Sequence, residues 1–225
     1  MQYPLVRSIA LAAAIAVPAF AHADSYLVQI ASTVTATDTN SGLASVMPVG
    51  SSVVMSFTVD STNFVDSGRF SNRGYAIDTA SFSLVANGTP IAVTLPANSA
   101  FVLSNDNPRA DGVFLATLDG VDRFANFAAT VPGNGNAFTF SFTQTWSTAY
   151  SPLGSVKIDD AVGTLDPTGV LTSSTGLRMA GNTSAATFSP ASVTISAVPE
   201  PASYGLMGLG LALVGVARRR QRNKS

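Results

Sequence analysis

The sequence predicts an all-β protein, and three observations carry that prediction. Apolar and polar residues alternate over several segments of five to ten positions. Asn, Gly, Pro and Asp separate those segments at short intervals. Between residues 24 and 197 no segment keeps the period of an amphipathic helix. A period of two with one apolar face marks a half-buried strand. Short strands at regular spacing favour an antiparallel two-sheet sandwich, jelly-roll-like.

The elements follow in chain order. Over residues 26–36, Tyr26, Val28, Ile30 and Val34 share one face. Over 53–60, Val53, Met55, Phe57 and Val59 point one way and Val54, Ser56, Thr58 and Asp60 the other. Residues 80–86, with Phe82 and Leu84, and residues 89–95 flank Asn87-Gly88, both of which tolerate positive φ, so a hairpin is predicted there. Segments 100–104 and 113–118 are predicted strands around a polar loop. Residues 137–146 alternate most cleanly. Phe138, Phe140, Phe142 and Trp146 share a face interrupted only by Gln144, and Thr139, Ser141, Thr143 and Thr145 share the other. Residues 147–185 are rich in Ser, Thr and Gly, and only Val156, Ile158, Val162 and Leu165 are prominent apolar positions. One or two edge strands joined by loops are predicted there, and residues 193–197 form the last strand.

Two segments of different composition flank this body. Arg7 precedes an apolar run over 8–20, and Ala21-His22-Ala23 has the A-x-A form of a cleavage site. A signal peptide over 1–23 is predicted, cut between Ala23 and Asp24, with export by the Sec pathway. A retained membrane helix suits this run less well, because it is short and contains Pro18. At the other end stand Pro199, Glu200 and Pro201, then an uncharged apolar run over 202–217, then Arg218, Arg219, Arg220, Arg222 and Lys224. The prolines disfavour helix and keep the tripeptide extended. As a transmembrane helix the run would cover about 24 Å, short for a permanent anchor. The basic tail, 218–225, would stay on the cytoplasmic side. The chain thus divides into 1–23, an ectodomain over 24–197, and a tail over 198–225.

Val198-Pro199-Glu200-Pro201-Ala202, the Gly/Leu-rich span and Arg218-Arg219-Arg220 closely resemble the PEP-CTERM sorting signal of Gram-negative bacteria. The resemblance implies recognition by an exosortase, a membrane-embedded, cysteine transpeptidase-like enzyme, with processing near the Pro-Glu-Pro. It implies an inner-membrane-anchored intermediate, then a place on the cell envelope or extracellular surface, associated with exopolysaccharide and biofilm matrix. An ordinary tail anchor is the alternative. Within the body, Gly50, Ser56-Phe57-Thr58 and Asp60, with Ser104-Asn105-Asp106-Asn107, resemble a recurring ectodomain of such proteins, for which no activity is implied.

Composition excludes much chemistry. The only histidine, His22, falls in the signal peptide, there is no cysteine, and the only glutamate is Glu200. Between 24 and 197 twelve aspartates face five arginines and one lysine, a net charge of −6 that the basic tail conceals in the whole-chain value of −1. An acidic body has no electrostatic footprint for nucleic acid. Without His or Cys, nucleophilic triads, thiol redox pairs and zinc, copper or haem sites lack their usual groups. Without cysteine the body has no disulfide, so its core must suffice.

Carboxylates and hard cations remain. Two aspartates can run glycoside hydrolysis, and the candidates Asp119/Asp122 and Asp159/Asp160 sit in turn-like contexts. Gly133-Asn134-Gly135 lacks the lysine and following helix of a phosphate loop. The segment 105–112 gathers Asn105, Asp106, Asn107 and Asp111, oxygen ligands of the kind calcium takes. It lacks the EF-hand spacing and a closing glutamate, Arg109 intrudes, and Asx residues are also the default turn formers. Trp146 with Tyr150 offers an aromatic platform for sugar rings, or else Trp146 packs in the core with the phenylalanines of its strand.

Two functions follow as expectations. One is an exported, surface-sorted structural or matrix protein without catalysis or cofactor, partnered by an exosortase-type enzyme, the membrane and exopolysaccharide. The other is a carbohydrate-binding or calcium-assisted adhesion module.

Overall fold

The computed structural model describes residues 25–106, 110–179 and 183–199. Its compact body spans Asp24–Val198. The body is all-β, and among the described residues fifteen strands join in one curled antiparallel sheet. The expected signal peptide and the transmembrane helix at 202–217 lie outside the described residues. Among those described, no helix is long and apolar enough to cross a membrane.

The sheet is organised around β1 (Ser25–Thr37). One edge of β1 pairs with β2 (Ser52–Asp66), from Ser25↔Asp60 to Thr33↔Ser52. Its other edge is divided. The first half pairs with β15 (Ser192–Ala197), from Tyr26↔Ala197 to Ala31↔Ser192. The second half pairs with β14 (Ser184–Phe188), with a bulge between Val34 and Ala36. From β2 one limb runs through β3 (Asn72–Ala86), β6 (Ser99–Ser104), β7 (Gly112–Thr117) and β10 (Thr143–Trp146) to β12 (Val170–Ser173). From β14 the other limb runs through β13 (Gly176–Met179), β9 (Phe138–Ser141) and β8 (Phe127–Thr130) to β5 (Ala92–Thr94). Short β4 (Thr89–Pro90) pairs with β3, and β11 (Gly163–Leu165) with β15. Because β1 belongs to both limbs, the two sheets expected from the pattern are hydrogen-bonded into one.

The limbs also meet at a second corner. β9 runs into β10 through Phe142, and β12 into β13 through Ser174 and Thr175. β9 pairs with β13 and β10 with β12, so the two connections travel together as a ribbon. Ser174 N donates to Thr143 O at 2.9 Å inside that corner.

The core matches the alternation where strands are straight. Tyr26, Val28, Ile30 and Val34 of β1 are buried, as are Val53, Met55, Phe57 and Val59 of β2. Phe57 meets Phe101 edge-on at 5.5 Å and stacks on Phe82 at 5.9 Å. Phe138, Phe140, Phe142 and Trp146 are all buried. Ser141, expected on the opposite face, is buried too, so Phe140, Ser141 and Phe142 are enclosed in succession. The chain is crossing from one limb to the other there, and corner residues are covered on both faces. Gln144 is also fully buried. Its Nε2 donates to Ala191 O at 2.9 Å and its Oε1 accepts from Ala191 N at 2.7 Å, so the amide replaces a piece of backbone ladder.

Three element predictions need correction. The strand expected at 80–86 begins at Asn72, because a bulge changes its buried parity from Tyr75 and Ile77 to Leu84 and Ala86. Ser81 Oγ, accepting from Thr58 N at 2.8 Å, bridges the interruption. The Asn87-Gly88 hairpin forms with φ of 49° and 76°, the two-residue turn with positive φ at both positions. Its second strand is only Thr89–Pro90, however, and β5 pairs with β8 in the other limb. Residues 147–185 supply not edge strands alone but β13 and part of β14, which lie inside the sheet between β9 and β1. Their alternation is weak because small residues suffice in that interior. Gly176 shows why: a Cβ there would lie 2.2 Å from Ala186 O.

Candidate functional site

The 105–112 loop leaves β6 and returns as β7, whose first pair is Ser104↔Gly112. Asn105 N donates to Ser71 O at 3.0 Å. Asp106 has φ +53°, a left-handed conformation that Asp tolerates better than most residues. Its side chain is exposed, while its N–H donates to Asp111 Oδ1 at 3.1 Å. Asp111 is only 1 % exposed. Its Oδ2 accepts from Ser151 Oγ at 2.8 Å and from Leu153 N at 2.7 Å, and its carbonyl accepts from Trp146 N at 2.9 Å. The Asp111 carboxylate therefore ties the loop to residues 151–153. Asn107 and Arg109 lie outside the described residues. Among those described, no three carboxylates gather as metal ligands would.

Each aspartate of the two pairs has a hydrogen-bond partner of its own. Asp119 accepts from Asn98 Nδ2 at 2.9 Å, and Asp122 from Asn72 Nδ2 at 3.2 Å. Asp159 accepts from Tyr26 Oη, and Asp160 from Ser155 Oγ at 2.7 Å. Trp146 is fully buried and its Nε1 donates to Asp166 O at 2.9 Å. It is a core residue, and Tyr150 is only half-buried.

A surface fork escaped the sequence reading. Arg73 Nε and Nη2 donate to Asp66 Oδ1 and Oδ2 at 2.5 and 2.8 Å across the β2–β3 ribbon. The guanidinium lies 3.9 Å from the Phe64 ring centroid. Hydrogen bonding from Arg73 holds the Asp66 carboxyl below its ordinary range, against the opposing effect of burial. Tyr75 stands behind it. Its hydroxyl donates to Val156 O at 2.8 Å and accepts from Ile158 N at 2.9 Å, and burial pushes its pKa up. The cross-strand register Asp66↔Arg73 would have revealed the pair, but the first half of β3 was not legible as a strand.

The body's two ends lie side by side. Tyr26 pairs with Ala197, and Val198 N donates to Ser25 O at 2.9 Å. Pro199 follows and is exposed. Glu200, Pro201 and the basic residues Arg218, Arg219 and Arg220 lie outside the described residues, as do Ala23 and Asp24 at the expected signal cleavage. The last strand of the described sheet thus ends at Ala197, shortly before Pro199 in the sequence.

Comparison with known families places that tripeptide in a recognised context. Residues 197–221 match the PEP-CTERM protein-sorting motif. No curated protein and no solved structure gives a match to the chain. The motif begins at the last residue of β15, so the folded body ends where the sorting signal starts.

Proposed function

From a PEP-CTERM sorting motif that abuts the last strand, we propose that this chain is an exported structural component of the cell envelope, associated with exopolysaccharide. The motif makes the chain an exosortase substrate, exported and sorted to the surface. In this reading a signal peptide at 1–23 starts export through the Sec pathway, and the apolar run at 202–217 holds a membrane-anchored intermediate. Exosortase then acts near Pro199-Glu200-Pro201. The body serves as an inert sandwich-like spacer, without catalysis, cofactor or nucleic-acid partner.

The observation that carries the proposal is the position of the motif. Pro199 is exposed directly after a strand whose ladder continues to Val198. The described part of the tripeptide, Pro199, is thus open to an enzyme. The aspartates support the non-catalytic part, because Asp111, Asp119, Asp122, Asp159 and Asp160 each accept a hydrogen bond from another residue of the body.

Intact-mass analysis of the envelope-associated protein from the native host tests the reading. A mature form lacking everything beyond about Pro199 is expected, recovered with the polysaccharide fraction. A mature form that keeps Arg218, Arg219 and Arg220 would sink the processing step. Release of the processed protein from cells stripped of no polysaccharide would sink the matrix association.

A further inference from the structure

The outer surface of the curled sheet is finished in two ways. Over β3, β6 and β7 the chain covers it with its own 118–123 turn. Val121 packs there on Val102 and Ala116, and Gly74 lets it approach, since a Cβ at that glycine would lie 2.6 Å from Val121 Cγ1. Over β15, β1, β2 and the end of β3, by contrast, the outward side chains stay exposed or half-buried. Register sets them in rows across the strands. Ser192, Ala31, Val54 and Val85 form one row, and Val54 is 40 % exposed. Gln29 and Ser56 stand at the centre of the next, and Leu27 beside Thr58 in the one after.

This face carries no charge, although the body holds twelve aspartates, five arginines and a lysine. β1 and β15 have no charged residue, and neither do 52–59 of β2 or 81–86 of β3. Carboxylates stand only at its borders. Asp60 pairs with Ser25 and Asp78 with Thr58 at one end, and Asp166 follows β11 at the side. The opposite end, at Thr33, Ser52 and Asn87, is uncharged.

Two copies of so acidic a body repel each other unless they meet where neither carries charge. We propose that this face is where two copies of the chain pack sheet on sheet, as an isologous dimer. The border charges select the twofold axis. An axis across the strands, through the row of Gln29 and Ser56, lays each β1 antiparallel over its copy. Asp60 and Asp78 of one copy then lie over the uncharged end of the other, and Leu27 over Ala31 and Val54 of the other. Gln29 meets its own copy, and an amide both donates and accepts. An axis along the strands would instead bring carboxylate end onto carboxylate end. Four strands of about seven residues cover about 450 Å² on each copy at the usual spacings. The total of about 900 Å² belongs to weak, transient association, favoured where copies are crowded. The proposal concerns the folded body and does not depend on the envelope role.

The test is sedimentation equilibrium of the full chain in density-matched neutral detergent, from about 0.02 to 1 mM, which reads dissociation constants near 0.1 mM. The average protein mass is expected to rise with concentration. Val54→Asp and Gln29→Asp place carboxylates in the contact, so each should weaken association about tenfold or more with an unchanged circular dichroism spectrum. Thr139→Asp, at an exposed position of β9 in the other limb, should leave association intact. The chain has no cysteine, so a single introduced thiol reports only its own neighbours. A bis-maleimide of about 10 Å reach, the spacing of packed sheets, should crosslink Ser56→Cys several-fold faster than Thr139→Cys. The proposal is overturned by a monomer throughout that range in the folded wild type, or by undiminished association in folded Gln29→Asp. Equal loss in Thr139→Asp, or crosslinking of Ser56→Cys no faster than of Thr139→Cys, overturns it too. Binding of a neutral dextran that Val54→Asp removes, without self-association, would give the face to a saccharide and overturn it as well.

Discussion

Asp111 shows how one residue can look like a ligand in the sequence and act as a brace in the structure. Its two oxygens receive Asp106 N, Ser151 Oγ and Leu153 N. Asp111→Ala would leave buried donors unpaired, with an expected loss of about 2–4 kcal/mol in urea melts whether or not calcium is present. Asp106→Ala, which removes an exposed carboxylate, is expected to cost under about 1 kcal/mol. Millimolar calcium is expected to leave the melting temperature of the full chain unchanged. A rise abolished by Asp106→Ala would restore the ion-binding reading, since a ligand of the folded state stabilises by mass action. At Asp66 the expected signature is pH dependence. Its folded pKa lies below the unfolded value, so its contribution is present above about pH 4 and is lost as pH falls through the folded value. The carboxylate is 51 % exposed, which holds that contribution under about 1 kcal/mol. Asp66→Asn should therefore be less stable than wild type at pH 6, with the difference shrinking as the pH is lowered through the acid range.

Strands were legible where a single face meets the core, and illegible where the chain turns between limbs. β1 and β2 show the first case, with buried residues alternating over 26–30 and 53–59. The β9–β10 segment shows the second, since its aromatic stripe was readable but Ser141 and Gln144 are buried as well. Sequence alternation cannot say that a polar residue is enclosed when its partner, here the Ala191 backbone, lies far along the chain. β3 hid for a related reason, because its bulge shifts the alternation midway. In the Asx-rich segment, Asp111's partners 40 and 42 residues away left no local trace. Two substitutions test the element assignments. Phe140→Ala, at a site 1 % exposed, should cost about 3–5 kcal/mol. Thr139→Ala, the exposed neighbour, should cost under about 1 kcal/mol. Comparable losses in denaturant melts would show that the facing of β9 is wrong.

For the molecule as a whole, the first and last strands are neighbours, and β15 also holds β11. A chain ending after Val198 is expected to melt cooperatively, and one ending at Ala191 to lose that transition, because β1 would keep half of one edge unpaired. Calorimetry of the two truncations decides this. The sorting motif was legible in full, since tripeptide, apolar run and basic cluster are local features of composition. Its adjacency to the last strand was legible too, and the fold adds that this strand closes the sheet by pairing with β1. That adjacency has a consequence in time. A chain leaving the cytoplasm amino end first presents β1 early, and β1 can pair with β2 as soon as β2 has followed. Its opposite edge must wait for β15, across almost the whole length of the body, and so distant a contact closes slowly. Until then the open edge of β1 is a template for strands of other chains. On the proposed reading, the strand that ends the wait is followed in the sequence by the sorting motif, and a pause for processing there would give the sheet time to close.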